Sequence, residues 1–284
     1  MNRDLTQGPV TKSMLLFALP MILGNLLQQF YNVADTLIVG QFLGSTALAA
    51  VGSSYTLMTF LTSILLGMCM GSGAVFSIRF GEGDLPRLKN SLSLSFLLIG
   101  GFTVALNVAV FLLIDPMMAL LQVPADVIPL MRSYLWVIFW GIGGTFLYNY
   151  FASLLRAVGN SATPLVFLGV SAVLNIVLDL VFVVAVPWGV AGAAFATSFS
   201  QWVSGVGLLV YTWKRMAHLR PSRQDVYWKK DRVGEIARFS LLTCVQQSVM
   251  NFGILMVQGL VNSFGTAVMA AFAAAVKIDS FAYM

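Results

Sequence analysis

Residues 163–186 read TPLVFLGVSAVLNIVLDLVFVVAV, an apolar run that a single acid, Asp179, interrupts. About 20 mostly apolar residues are enough for a helix to cross a bilayer. A charge at that depth costs about 3 kcal/mol or more unless it is paired or neutralised. A second acid, Asp35, interrupts the run 14–39 in the same way. Because chains keep such acids mainly to bind an ion or to relay a proton, the pair predicts an ion-coupled membrane transporter.

The composition indicates that most of the chain lies in a membrane. Of its 284 residues, 58% are hydrophobic and 10% are charged, whereas soluble domains carry about 25% charged residues. Eight apolar runs are long enough to be spans: 14–39, 47–78, 91–114, 130–155, 163–186, 190–213, 236–262 and 266–284. The connections are too short for a soluble domain, so we predict an all-α polytopic membrane protein.

The basic residues predict the orientation. With the N-terminus in the cytoplasm, the outer side carries only Arg132, and Lys277 lies in the last run. The other basic residues fall on the cytoplasmic side: Arg3, Lys12, Arg79, Arg87, Lys89, Arg156, Lys214, Arg215, Arg220, Arg223, Lys229, Lys230, Arg232 and Arg238. This asymmetry is typical of a bacterial inner-membrane protein with a cytoplasmic N-terminus. The net charge of +5 therefore indicates attraction to anionic lipid, and we expect no nucleic-acid partner.

An internal repeat predicts two lobes. The charged connection 214–235 separates a six-helix lobe, residues 1–213, from the start of a second lobe, residues 236–284. FALP at 17–20 aligns with FSLL at 239–242, and LGSTALAA at 43–50 aligns with FGTAVMAA at 264–271. Six spans per repeat keep both copies in the same orientation, as in transporters built from parallel repeats. We therefore expect a longer protein with a 6+6 bundle, of which this chain holds one lobe and two further helices.

Polar residues follow helical spacing in three spans. The first span carries Gln28, Tyr31, Asn32 and Asp35 on one face, at i, i+3, i+4 and i+7. The fifth carries Ser171, Asn175 and Asp179 at i, i+4 and i+8, and the sixth carries Thr197 at a similar depth. With a rise of 1.5 Å per residue, Asp35, Asp179 and Thr197 lie within about 5 Å of one another in depth. We expect them to form one cluster in the outer half of the lobe.

Carboxylate, amide and hydroxyl oxygens suit Na⁺, and a buried carboxyl can also hold a proton. The alternative is that these polar groups only join helices to one another.

Pro20 lies within the first span, where it removes one backbone hydrogen bond. It is either a hinge that responds to Asp35 or a static kink. The small residues Gly67, Gly71 and Gly73 in the second span predict close helix packing.

Other functional classes have less support from the residues. An intramembrane enzyme needs a nucleophile and base, or a metal set. The single histidine, His218, lies in the basic connection, and the two cysteines, Cys69 and Cys244, lie inside spans without a ligand pattern. We therefore predict that the protein is not an enzyme. A membrane scaffold would have no need for two buried acids at matching depth.

Four segments resemble the multidrug and toxic compound extrusion (MATE) transporters. They are RFGEGD at 79–84, LRAVGNSATP at 155–164, GVAGAAFAT at 189–197, and the first-span set Pro20, Gln28, Tyr31 and Asp35. In the family these read R-x-G-x-G-D, L-R-A-x-G-x-x-x-x-P and G-x-x-G-A-A-x-A-T. The matches occur in order and cover the whole first lobe.

The resemblance implies a twelve-helix, two-lobed antiporter that alternates between outward and inward openings. It implies export of organic cations in exchange for Na⁺ or H⁺, with no further cofactor, by a monomer of the full-length chain. In the DinF-like branch, which this sequence is similar to, the ion site falls on Asp35, Asn175, Asp179 and Thr197. A fourth-span asparagine falls on Asn149, which lies nearer the cytoplasm. With Gln28, Tyr31 and Asn32 it is expected to line the substrate cavity.

Two features limit the transfer from the family. Another branch places an acid in the seventh span, where this chain has only amides: Gln246, Gln247, Asn251, Gln258 and Asn262. Lys277 and Asp279 in the eighth run are weaker candidates for the functional site than the acids of the first lobe, Asp35 and Asp179. The alternative function is a lipid-linked oligosaccharide flippase of the same superfamily, which is expected to have a more cationic cavity. The identity of the substrate and the choice between Na⁺ and H⁺ stay open.

Overall fold

Helices account for nearly all of the fold. The computed structural model describes residues 10–222 and 225–282, and no strand occurs among them. The α-helices are α1 Val10–Leu43, α2 Ser45–Gly81, α3 Leu85–Leu112, α4 Ile114–Leu120, α5 Ile128–Ile138, α6 Ile142–Ala157, α7 Ala162–Asp179, α8 Val190–Arg215, α9 Lys230–Asn262 and α10 Thr266–Ala282. A 3₁₀ turn, Phe139–Gly141, joins α5 to α6, and a π-helical segment, Leu180–Ala185, continues α7.

The predicted spans agree with these helices. Within the described residues, seven helical segments are long and apolar enough to cross a membrane. They coincide with the first seven predicted runs. The eighth run corresponds to α10, whose apolar section is shorter, Thr266–Val276. The prediction of an all-α polytopic membrane protein is confirmed.

Glycines allow α6 and α8 to approach each other closely, next to the break between α5 and α6. A Cβ atom added to Gly144 would lie 2.7 Å from the backbone nitrogen of Trp202. One added to Gly141 would lie 2.9 Å from Oγ of Ser198. Real Cβ atoms do not approach other atoms so closely, and these positions therefore require glycine. The fourth predicted run consists of two α-helices, α5 and α6, joined by a 3₁₀ turn.

The connection between the predicted lobes is shorter than expected. We predicted a loop from 214 to 235, but α8 continues to Arg215 and α9 begins at Lys230. The first turn of α9 carries Asp231, whose charge is favourable at a helix N-terminus. Glu235, one turn later, pairs with Arg79 of α2, with an Oε1–Nη2 distance of 2.6 Å. The charged residues 230–235, which we predicted to be part of the loop, therefore form the first turns of α9.

Two of the motif segments are helix C-terminal turns. Gly83 and Gly159 have positive φ values of 71° and 83°. At the end of α6 the amide of Asn160 donates to the carbonyl of Leu155 at 2.8 Å. At the end of α2 the amide of Asp84 donates to the carbonyl of Arg79 at 3.2 Å. These six-to-one hydrogen bonds define Schellman turns, whose left-handed residue is usually glycine.

α9 packs antiparallel to α2 along most of its length. Cβ atoms added to Gly67 and Gly71 would lie 2.5 Å from backbone atoms of Cys244 and Phe239, so the prediction of close packing at these glycines is confirmed. Toward the end of the bundle where α2 begins, four buried side chains form a hydrogen-bond network that we call the polar seam. Its members are Ser53, Thr56, Gln258 and Asn262.

Candidate functional site

The fifth-span polar stripe lies between α7 and α8. Ser171, Asn175 and Asp179 are 5%, 2% and 0% exposed. The hydroxyl of Ser171 donates to the carbonyl of Ser200 at 2.9 Å, and Nδ2 of Asn175 donates to Oγ1 of Thr197 at 3.2 Å. Spacing by one helical turn therefore places all three side chains on the face of α7 that is buried.

Asp35 of α1 approaches the same place from the other side. α1 packs against α7 and against the π-helical segment that follows it. The carboxyl group of Asp35 lies close enough to that of Asp179 for the two to interact electrostatically. Two buried carboxyl groups this close are costly when both are charged, so the pair favours a bound proton or a shared cation. We call Asp35, Asn175, Asp179 and Thr197 the acid site, because the structure brings these four predicted residues together.

Several buried oxygen atoms of the acid site accept no hydrogen bond. No N–H or hydroxyl donor among the described residues reaches either carboxyl oxygen of Asp179 or Oδ1 of Asn175. The hydroxyl of Thr197 donates to the carbonyl of Ala193 at 3.1 Å and accepts from Asn175. Buried acceptors are ordinarily satisfied, and leaving one unsatisfied costs about 1–3 kcal/mol. These oxygen atoms therefore face a position that suits a cation or a proton.

A long cavity of about 1390 Å³ lies beside the acid site. Asp35 and Thr197 line it, whereas Asp179 and Asn175 are buried behind it. The cavity continues past Thr145 and Tyr148 of α6 to Arg156, near the end of the bundle where α6 finishes. Among the described lining residues, Asp35 is the only acid and Arg156 is the only base. The cavity thus has opposite charges at its two ends.

The cavity residues that the sequence indicated all line this space, but not all reach the acid site. Gln28, Tyr31 and Asn32 lie on α1 within two turns of Asp35. Asn149 is different, because its Nδ2 donates to the carbonyl of Thr145 in its own helix at 2.9 Å. It lies in the cavity, outside the acid site.

Two tyrosines near the acid site were missed by the sequence analysis. Tyr134 of α5 is 5% exposed and lies within electrostatic range of both Asp35 and Asp179. Tyr55 of α2 lies within range of Asp35, as does Tyr31. Tyrosines of membrane proteins concentrate at the interface. Tyr55 lies well inside the second run and was therefore a signal that was available, whereas Tyr134 lies near the start of the fourth run and gave none.

A π-helical segment begins directly after Asp179. Residues Leu180–Ala185 are π-helical, and the amide of Val186 donates to the carbonyl of Val181 at 2.7 Å. Such segments are rare and often occur at functional sites. The periodicity of the fifth run gives no sign of it, because every residue from Leu180 to Val186 is apolar.

Pro20 lies inside α1, lines the cavity and does not end the helix. The hydroxyl of Ser161 donates to the carbonyl of Phe17, three residues before Pro20, at 2.9 Å. Proline cannot donate to the preceding turn, and in membranes a neighbouring helix commonly satisfies the affected carbonyls. This bond therefore connects the kink-prone turn of α1 to the start of α7.

The side chains of Lys277 and Asp279 lie outside the described part of the chain.

Comparison with known proteins identifies relatives of the same kind. The MatE family model matches residues 20–181. The chain is 32% identical over 277 residues to the probable multidrug resistance protein YpnP of Bacillus subtilis, covering 98% of this chain and 62% of that protein. It is 25% identical over 277 residues to the multidrug export protein MepA of Staphylococcus aureus, covering 97% and 61%. The chain thus spans about three fifths of the length of these relatives.

Solved structures show the same fold. An inward-facing multidrug resistance MATE family transporter of the MOP superfamily superposes with a TM-score of 0.81 at 25% identity, over 88% of this chain and 57% of that one. An outward-facing MATE family transporter gives a TM-score of 0.82 at 22% identity, over 96% and 64%. Since the family model covers more than half of the residues, the chain belongs to the MatE family of membrane transporters, which are not enzymes.

Proposed function

We propose that the protein exports organic cations across the membrane in exchange for Na⁺ or H⁺, and that the acid site holds the coupling ion. The observation that carries the proposal is the carboxyl group of Asp179, which is 0% exposed and receives no N–H or hydroxyl donor among the described residues. Relatives named as multidrug resistance and multidrug export proteins support the substrate class.

The coupling follows from the position of the two acids. Asp35 lines the cavity, where a substrate cation can approach it, and it also acts on Asp179 behind it. Two neighbouring carboxylates in a membrane need a compensating positive charge. A Na⁺ ion or a proton supplies that charge in one state, and the substrate cation supplies it in another. Transport of substrate and ion is coupled if binding of each one lowers the affinity of the protein for the other.

The donor set suits either ion. Both carboxyl oxygens of Asp179, Oδ1 of Asn175 and the carboxyl of Asp35 are hard oxygen ligands of the kind that Na⁺ takes, and Thr197 adds a hydroxyl oxygen. A proton needs only the two acids. In this proposal Pro20 permits α1 to bend, so that the carboxyl group of Asp35 moves relative to Asp179.

The surroundings of the protein are part of the proposal. We propose a bacterial inner-membrane location with the N-terminus in the cytoplasm, since the basic residues concentrate on one side. The proposed partners are an organic cation and membrane lipid, and a monomer of the full protein is proposed to be sufficient. The end of the bundle where α2 finishes and α9 begins is then the cytoplasmic end.

The test is efflux of a fluorescent organic cation from energised vesicles that contain the full protein, with Na⁺ and pH gradients imposed separately. We expect one gradient to drive dye movement, and both Asp35→Asn and Asp179→Asn to lose it. Asp115→Asn is the matched control, because Asp115 is exposed and pairs with Arg132 at 3.1 Å. Dye export that persists in Asp179→Asn would overturn the assignment of the ion site.

One observation favours a test of the second candidate, the lipid-linked oligosaccharide flippase. The guanidinium of Arg156 lines the cavity and makes no ion pair among the described residues. A pyrophosphate would need such a cation, although a cavity built for it is expected to hold several. If neither gradient moves any dye while the protein is inserted, and Arg156→Gln abolishes flipping of a lipid-linked sugar, the flippase replaces the antiporter.

A further inference from the structure

A second cavity lies on the opposite side of α6 from the acid site. This groove has a volume of about 660 Å³ and is bounded by α3, α6, the end of α8 and the connection that follows it. No residue lines both cavities. Its floor is apolar and buried, with Leu92, Leu154 and Leu219 each at most 4% exposed. Its size lies within the range of about 300–1,000 Å³ that is typical of ligand pockets.

The wall that the connection contributes is held in place. Pro221 and Val226 line the groove. The amide Nδ2 of Asn90 in α3, which is 0% exposed, donates to the carbonyls of Asp225 and Tyr227 at 2.8 and 2.9 Å. A buried donor that holds two backbone carbonyls fixes this part of the connection against α3. The groove is therefore a formed site with a defined wall.

Two cations lie at the end of the groove. Lys214 and Arg220 both line it, and neither forms an ion pair within the part of the chain that the structure describes. The guanidinium of Arg220 lies 5.5 Å from the ring centre of Trp213 and its Nε donates to the Trp213 carbonyl. The ring of Trp213 is 52% exposed, as is common for tryptophan at a membrane interface. The arrangement holds a positive charge beside an apolar slot near the end of α8.

A buried hydroxyl faces the same groove without a partner. Thr212 lines the groove and is 7% exposed, yet its Oγ1 makes no hydrogen bond among the described residues. Most threonines of this bundle donate to the carbonyl one turn earlier, as Thr103 does to Ile99 at 2.7 Å. Thr212 and Arg220 both line the groove, and the hydroxyl of Thr212 suits a polar ligand atom that lies between an apolar chain and a charged headgroup.

We propose that this groove binds one anionic phospholipid of the cytoplasmic leaflet. An acyl chain lies along the apolar floor, the phosphate lies near Lys214 and Arg220, and a glycerol or ester oxygen accepts from Thr212. The chemistry argues for this occupant, because it alone joins a long apolar part to a negative group at membrane depth. Basic pockets between helices on the cytoplasmic side are known to bind such headgroups. The proposal rests on the orientation proposed above and is independent of the acid site.

The test is lipid retention by the full protein in native mass spectrometry, after exchange with equal amounts of phosphatidylglycerol and phosphatidylcholine. We expect one phosphatidylglycerol to be retained at least about tenfold better than phosphatidylcholine, a difference of about 1.4 kcal/mol. The double variant Lys214→Gln with Arg220→Gln is expected to lose that preference. Thr212→Val is expected to retain less of both lipids without changing the preference for charge.

Arg238→Gln is the matched control, since Arg238 is exposed on α9 and does not line the groove. It removes one charge from the same side and is expected to leave retention unchanged. Equal retention of both lipids by the unaltered protein would overturn the proposal. So would an equal loss in Arg238→Gln, which would indicate general attraction to anionic lipid. If the double variant fails to fold, Lys214→Gln alone gives the same comparison, because Lys214 is exposed at the helix end.

Discussion

The acid site and the polar seam are both polar clusters inside apolar helices, but their hydrogen bonding differs. In the seam, Oε1 of Gln258 accepts from Thr56 at 3.0 Å, and its Nε2 donates to Ser53 and to Asn262. Nδ2 of Asn262 donates to the carbonyl of Leu121 at 2.8 Å. None of these atoms is left without a partner. In the acid site, by contrast, three buried oxygen atoms of Asn175 and Asp179 accept nothing from a described donor.

This difference separates a structural role from a functional one. Polar side chains that satisfy one another hold helices together in a membrane. Buried acceptors without a donor lower the stability of the folded protein. Binding of a cation or a proton at these acceptors removes that loss of stability. The two interpretations that the sequence left open for buried polar residues therefore apply to different places. The seam joins α2 to α9, and the acid site is the proposed place for a coupling ion.

The largest expected effect comes from the acid site. Asp179→Asn removes the charge that the coupling ion would compensate, and we expect gradient-driven export to fall to background. The unfolding temperature of the detergent-solubilised protein should not fall, because a neutral amide is less costly to bury than a carboxylate. Transport and thermal unfolding of the same preparation check both parts. A loss of folding that accompanies the loss of transport would contradict the comparison.

The next effect concerns the glycine contact between α2 and α9, at the other end of these helices from the seam. Gly71→Ala places a Cβ atom 2.5 Å from the carbonyl oxygen of Phe239, so α2 and α9 must separate. Overpacking of this kind costs about 1–3 kcal/mol, and we expect a lower unfolding temperature. Gly101→Ala is the matched control, because its Cβ atom would meet nothing within 4 Å. Equal stability of the two variants would show that the helices are not closely packed at Gly71.

A smaller loss of stability is expected inside the seam itself. Gln258→Leu leaves Ser53, Thr56 and Asn262 without one partner each and should cost about 1–2 kcal/mol, near the upper limit measured for interhelical hydrogen bonds. Export per folded molecule should be retained. Gln246→Leu, at an exposed position of the same helix, is the control. If Gln258→Leu keeps its stability but loses export, the seam takes part in transport and its role is not only structural.

The smallest effect is expected at Thr197. Thr197→Val removes the hydroxyl that accepts from Asn175 and leaves both acids in place. A hydrogen bond contributes about 0.5–1.5 kcal/mol, and we expect the half-saturating ion concentration to rise about twofold to tenfold. Thr103→Val, which removes a hydroxyl bonded only within its own helix, is the control. An unchanged ion dependence would remove Thr197 from the acid site.

The sequence predicts local features of this molecule better than long-range contacts. The spans follow from apolar length, and the stripe Ser171, Asn175 and Asp179 follows from helical period. Equal depth was enough to predict that Asp35 meets Asp179. The seam was not predictable, because Gln258 finds its partners Ser53 and Thr56 some 200 positions earlier, and nothing in the seventh span indicates which helix it faces.

Other features depend on backbone geometry that apolar sequence does not encode. The π-helical segment after Asp179 is built from residues that also favour an ordinary helix or a strand. The 3₁₀ turn at Phe139–Gly141 lies where glycines meet α8, and the glycines alone do not say which helix approaches. The bond from Ser161 to the carbonyl of Phe17 likewise requires the packing of α7 on α1.

We propose that ion and substrate compete at Asp35 and Asp179. The most direct measurement is the release of bound ion when an organic cation is added to the purified full protein, followed as H⁺ with a pH indicator and as ²²Na⁺ in parallel. We expect one of the two ions to be released in proportion to the substrate bound, and we expect Asp179→Asn to bind substrate without releasing that ion. Substrate binding with no release of either ion by the unaltered protein would contradict competition at these two acids.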